Sequence, residues 1–424
     1  MKNIFTLLLI CCCMNLFAQQ VPVVISGGTI HVGNGTVIEN GMVIIKNGKI
    51  EYAGTTKEPG YDINNVSAID ASGKHIYPGI IAMNAQVGLK EIELVRSTID
   101  IVEVGEFNPN IRSLIAYNTD SKVIPTLRTN GILLAQVIPD GGIISGQSSV
   151  VKMSGWNWED AVVDTDDNMH MDWPSVYSYN YEKGFYIIDP KYTENVNAIR
   201  SFISEAKAYC SAEKHETKNL RFEAMRKIFN GEQKLFIKAD RAKEIIGAVD
   251  LAKAYSIKVV IVGGRQSYKV QELLKENNIP VLLESTHELP AFEGDDVDLP
   301  YKLPAMLMRA GILCGLTMSN DGSSYWNVRN LPFDAGTAAA YGLSKEEALE
   351  LITLNNAKIL GIENNYGTVE TGKSATLFIS EGDVLDMKTS ILTNIFIQGE
   401  RIDVENWQDE LSRKYSIKYG IEVK

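Results

Sequence analysis

Apolar and polar residues alternate along this chain in two rhythms. Near the N-terminal end, VPVVISGGTI, GMVIIKNGKI and IEYAGT are β-branched and apolar, broken by Gly-Gly, Asn-Gly and Gly-Thr turn signals. Asn47-Gly48 suits a tight hairpin. Near the far end, ATLFIS and TNIFIQGERI repeat the pattern, with a turn at Gln398-Gly399. Two β-rich ends around a long middle predict one small β-sandwich domain built from both, residues 19–76 and 366–424.

The middle, residues 77–365, alternates strand and helix signals. Strand-like runs are GILLAQVIP (131–139), Lys234 to Ile237, Lys258 to Val262, Val281 to Leu283 and Ile312 to Met318. Between them lie the polar helical stretch Glu194 to Lys227, the amphipathic Ala239 to Tyr255, and helices Val270 to Asn277, Leu303 to Ala310 and Lys345 to Thr353. This alternation predicts an α/β fold, a (β/α)8 barrel of the TIM type, which typically needs about 250 residues plus insertions. A doubly wound open sheet is the alternative, but no G-x-G-x-x-G follows an early strand.

The stretch GKHIYPGIIAMNAQVG (73–88) organises the rest. It reads as a turn, a short strand, a Pro78-Gly79 break and a buried strand from Ile80 to Gln86. Side chains two apart on a strand share a side, so Asn84 and Gln86 leave it together, with Ala85 opposite.

Composition narrows the partners. The formal charge of −12 over 424 residues argues against nucleic acid or an anionic membrane surface. The N-terminus reads as a secretory signal, residues 1–18: Lys2, an apolar run from Phe5 to Cys13, and a cleavage site after Leu16-Phe17-Ala18. Periplasmic or extracellular export is therefore expected, soluble or as a lipoprotein. No later stretch reads as a transmembrane helix. Cys210 and Cys314, the two cysteines left after cleavage, do not make a disulfide framework.

The buried strand resembles the first barrel strand of the amidohydrolase superfamily, Pro-Gly-hydrophobic-hydrophobic-Asp-x-His-x-His, with Asn84 and Gln86 in the places of the two histidines. LFIKADRAKEI (235–245) is similar to the fifth-strand segment of its imidazolonepropionase-like branch, with Lys238 in the histidine place. VIVGGR (260–265) resembles the next strand, with Gly263-Gly264 offering no ligand. LTMSNDG (316–322) resembles the eighth-strand pattern and makes Asp321 the equivalent of the family aspartate. GTVETGKSATLFI (367–379) and NLPFDAGTAAAYGLSKEEALELITLNNAKIL (330–360) resemble the family's return segment and closing helices.

The resemblance implies hydrolysis of a non-peptide C–N bond, in a cyclic or linear amide, by metal-bound hydroxide, with zinc or another divalent ion as cofactor. The residues imply otherwise. Carboxamides are neutral, weak zinc ligands, so no resident metal is expected at Asn84 and Gln86. Two readings follow. One is an impaired relative, a pseudoenzyme that binds a small molecule or supports an intact homologue as partner subunit, in a homo- or hetero-oligomer. The other is an active hydrolase with altered ligation, using Asp321 with Asn84, Gln86 or Lys238.

Lys238 and Asp240 alternate on a strand end and share a face. A structural Lys238–Asp321 ion pair is expected where the metal would sit; a desolvated Lys238 acting as base or nucleophile is the rival, and a solvent-facing Lys238 the third reading. Of the five histidines, His287 follows a barrel strand and joins Asn84 and Gln86 as a candidate substrate-binding residue. His31 and His75 belong to the terminal β material, His215 to a charged helix, and His170 to the aromatic, acidic stretch Trp156 to Tyr181, a lid or a surface excursion. Gly141 to Ser149 offers backbone N–H groups but lacks a P-loop ending.

Overall fold

A computed structural model describes residues 21–55, 66–212, 214–318 and 324–421. The signal-like segment 1–18 and Asp321 lie outside the described residues.

Among the described residues, seven parallel strands carry the middle of the chain: β1 (Ile80–Ala85), β2 (Ile132–Val137), β3 (Met169–Asp172), β4 (Leu235–Ala239), β5 (Val259–Gly263), β6 (Val281–Glu284) and β7 (Cys314–Thr317). β1 pairs with β2, and β3 through β7 pair in sequence order. Between β2 and β3 the chain inserts three antiparallel strands: Ile144–Gln147 beside β3, Ser149–Lys152 beside β2, and Val162–Asp164 on the outer edge of Ser149–Lys152. Ser148 is the residue between the first two, and its Oγ donates to Asp167 Oδ1 at 2.6 Å.

The first and last of the seven strands lie side by side. Thr317 Oγ1 of β7 donates to the Met83 carbonyl of β1. Asn356, from the helix Leu354–Leu360, donates Nδ2–H to Ile81 O at 2.8 Å and to Leu316 O at 3.0 Å. A side-chain amide thus links two strands that share no backbone ladder among the described residues.

Strand alternation sorts the apolar residues of these strands into two cores. Ile81, Met83, Leu134, Phe236, Val260, Val262 and Leu282 pack together on one face. Their neighbours Ile80, Ala82, Ala135, Leu235, Ile237, Ile261, Val281 and Leu283 face the helices. Both faces are covered, which is why these strands read as unbroken apolar runs.

A second sheet takes strands from both chain ends. Strand Val23–His31 pairs with Val37–Lys46 and with His75–Pro78; His75–Pro78 pairs in turn with Leu377–Ser380, and that with Leu392–Ile397. Its core is Ile25, Ile30, Val43, Ile45, Ile76, Leu377, Ile379 and Phe396.

Three segments differ from the sequence expectation. Trp156 to Tyr181 is not one excursion: Met169–Asp172 is β3, paired to β4, and only Tyr177–Asn180 with Phe185–Ile188 forms a separate hairpin. The polar stretch from Glu194 is helical over Tyr192–Ser211, then breaks, leaving His215 outside a helix and stacked 3.5 Å from the Tyr209 ring. The C-terminal β material is followed by a helix, Trp407–Tyr419, capped by Asn406.

Candidate functional site

The parallel strands end together, and their last inward side chains meet. Asp172 and Lys238 are register partners across β3 and β4. Lys238 Nζ lies 3.5 Å from Glu284 Oε1, reaching past β5 to the end of β6. The Glu284 side chain is 1% exposed, and the Lys238 side chain retains solvent contact.

Burial pushes the Glu284 carboxyl up to about 7, with Lys238 pulling against it. For Lys238, burial presses the ammonium downward, but the carboxylates of Glu284, Asp172 and Asp240 outweigh it and the net shift is upward. Asp172 is pushed up to about 6 by desolvation, with Lys238 opposing and Asp140 reinforcing. Farther out, Arg265 lies 3.8 Å from Asp240 and 2.6 Å from Glu288.

On β1 the pairing with β2 slips between Ala82 and Ala85, and Asn84 sits in that slip at φ 51°. One extra residue turns the strand's phase over. Without it, Asn84 would follow Ala82 toward the helices; with it, Asn84 lines the inner cavity. Asn is among the few residues that tolerate the left-handed region. Gln136 of β2 fixes the bulge, since its Oε1 accepts the Asn84 backbone N–H at 3.3 Å. Gln136 Nε2 donates to Asp167 Oδ2 at 2.8 Å and to Ser148 Oγ at 3.1 Å. Gln86 donates Nε2–H to Asp140 Oδ2 at 3.1 Å, and Asp140 Oδ1 accepts from the Gly141 N–H.

Asn84, Asp140, Ser145, His170, Asp172 and Lys238 give the cavity its polar wall, over a floor that includes Phe236 and Val262. A wider groove continues outward past Asp172 and Lys238 to Tyr177, Arg241, Arg265 and Phe292. There the Arg241 guanidinium lies between two rings, 4.5 Å from Tyr177 and 4.2 Å from Phe292.

The structure therefore gathers Asn84 and Lys238 around one cavity, with Gln86 attached through Asp140. The expected Lys238–Asp321 pair lies outside the described residues. His287 is placed elsewhere: its Nδ1 lies 2.8 Å from Asp334 Oδ1, and its Nε2 contacts Thr337. Asp334 is fully buried on the helix Leu331–Ala340 and also accepts from Ser285 Oγ at 2.7 Å and the Thr286 N–H at 3.3 Å. Sequence reasoning missed Glu284, Asp172 and Asp140. The signal available was an acid closing each apolar run, as in VLLE, MHMD and QVIPD.

Two carboxamides, a lysine and the bare Gly263 stand where the resemblance would put metal-binding imidazoles. Among the described residues, no three His, Cys, Asp or Glu side chains converge in a geometry that could hold a metal ion.

The amidohydrolase family profile matches residues 304–405. Imidazolonepropionase of Staphylococcus aureus (strain MRSA252) is 26% identical over 372 residues, 81% of this chain and 84% of that protein. Amidohydrolase tasK of Hapsidospora irregularis is 31% identical over 125 residues, so the match covers 26% of this chain and only 12% of that much longer protein. Among solved structures, an amidohydrolase from Thermotoga maritima MSB8 superposes with a TM-score of 0.77 at 23% identity, covering 90% of this chain and 99% of that one. Among the described residues no helix is long and apolar enough to cross a membrane.

Proposed function

We propose, on the premise that this chain belongs to the amidohydrolase superfamily, that it is an exported barrel protein whose mouth binds a small molecule without a resident metal. The closure of the strands into a barrel is supported by the Asn356 and Thr317 links between β7 and β1. The mixed sheet drawn from both chain ends supports the accompanying β domain.

The observation that carries the reading is the Lys238–Glu284 pair. An ammonium held by a buried carboxylate supplies positive charge where a divalent ion would otherwise sit, and like charges so close repel. In the superfamily such an ion lowers the pKa of its bound water to make the nucleophile. Here Asn84, Gln86 and Lys238 do not form a ligand set for it. What these residues do is orient: Glu284 holds Lys238, Gln136 holds the Asn84 bulge, and Asp140 holds Gln86.

The test is metal content. Protein purified without chelator, analysed by plasma mass spectrometry, is expected to carry far less than stoichiometric zinc or manganese. A full equivalent that disappears in Asn84→Ala or Gln86→Ala overturns the proposal.

A second reading keeps hydrolysis of a C–N bond. It is favoured by the Glu284 and Asp172 carboxyls, pushed up to about 7 and about 6 and so suited to exchange protons near neutral pH. Turnover of a cyclic-amide panel, lost in a folded Glu284→Gln variant, would establish it.

A further inference from the structure

We propose that the inner cavity is a site for a small ligand that presents a protonated nitrogen, an alkylammonium group in its simplest form. The inference deepens the metal-free reading of the mouth and rests on it.

Three observations carry it. First, the cavity has a volume of about 60 Å³ and is open on one side, room for a ligand group of only a few heavy atoms. Its floor of Ile138, Pro139, Met171, Phe236 and Val262 suits a short alkyl chain.

Second, its polar wall has more acid than base. Asp140 and Asp172 face the space, and no lysine or arginine among the described residues lies within ion-pair distance of either. The ammonium in the wall, Lys238, pairs with Glu284, which is not part of the cavity lining, and is shared with Asp172 at longer range. Among the described residues Asp140 takes neutral donors, the Gln86 amide and the Gly141 N–H. A cationic ligand would complete the balance of charge that the protein leaves open.

Third, His170 is 5% exposed and lines the same cavity, yet among the described residues its Nε2 has no hydrogen-bond partner. Strand alternation sets it on the same face as Asp172. A buried polar atom without a partner is costly unless something meets it. Burial also holds the imidazole neutral, with its pKa lowered to about 3, so Nε2 can offer a lone pair. An ammonium has three N–H groups, and the wall offers three acceptors: Asp140, Asp172 and His170.

The experiment is calorimetric titration of the full chain with three isosteric probes: n-propylammonium, propionate and propionamide. Saturable binding of the amine alone is expected, weakened about tenfold or more in Asp172→Asn, as for loss of a charge-assisted bond. His170→Phe, which removes the acceptor and keeps a ring, should weaken it too. Circular dichroism and melting temperature establish that each variant is folded; should one not fold, the ranking of the three probes on the wild-type chain still decides. Propionate or propionamide binding as tightly as the amine overturns the inference, as does an absence of saturable amine binding or an amine affinity indifferent to Asp172→Asn in a folded protein. The metal measurement separates the two claims: bound metal removes the reading of the mouth, whereas a metal-free protein that ignores the amine removes only this one.

Discussion

Lys238 and Glu284 meet across an intervening strand: the ammonium on β4 and the carboxylate on β6 stand 3.5 Å apart over the end of β5. Removing the cation leaves an acid with a 1% exposed side chain without its partner. A fully buried broken pair costs about 3–5 kcal/mol, and because Lys238 keeps solvent contact the expected loss for Lys238→Met is smaller, about 1–2 kcal/mol. The Glu284 pKa is raised to about 7, so its charge is present at pH 8 and largely absent at pH 5. Urea unfolding should therefore show the Lys238→Met penalty at pH 8 and little of it at pH 5. Adding Glu284→Gln should restore stability at pH 8.

The Asn84 bulge makes a prediction about backbone alone. Alanine at φ 51° costs about 1 kcal/mol or more, whereas glycine carries no such penalty there. Denaturant titration should rank Asn84→Gly as more stable than Asn84→Ala. Gln136→Leu should cost more than either, about 1–3 kcal/mol, because it removes the acceptor for Asn84 and strips a donor from the buried Asp167.

Asn356 links β1 and β7 through two carbonyls, and it is fully buried. Asn356→Leu keeps the volume and removes both bonds, at an expected cost of about 2–4 kcal/mol. Hydrogen exchange should show the loss concentrated at the ends of β1 and β7. Gly315→Ala tests the same place by crowding, since a Cβ there would stand 2.2 Å from Asn356 Oδ1.

His287 predicts a pH dependence of the opposite sense to that of a salt-bridged acid. Its hydrogen bond to Asp334 raises its pKa above the usual histidine value. Its contribution is thus fully present below about pH 6.5, where the unfolded histidine is also charged, and fades as pH rises through the raised folded value. The difference in melting temperature between the wild type and His287→Gln should be largest in that acidic range and shrink toward alkaline pH.

The sequence carried the strands well and their neighbours poorly. Apolar runs such as VVIVG and VLL stand out because both faces of these strands are covered. That same property hid the bulge: when every position in IIAMNA is buried, a one-residue phase change leaves no trace in the hydrophobic pattern. β3 was lost inside an aromatic, acidic stretch because MHMD is short and half polar. Glu284 was invisible for a different reason. An acid after an apolar run reads as a strand reaching water, and only the position of Lys238 two strands away gives it a partner.

The sheet shared by the two chain ends sets the order in which the molecule can be finished. Strand His75–Pro78 can find Val23–His31 as soon as both exist, but its other edge waits for Leu377–Ser380, about 300 residues later. Until then that edge is open, and it runs through Pro78-Gly79 straight into β1. During synthesis the strand bearing Asn84 thus adjoins a sheet whose far edge is still unpaired.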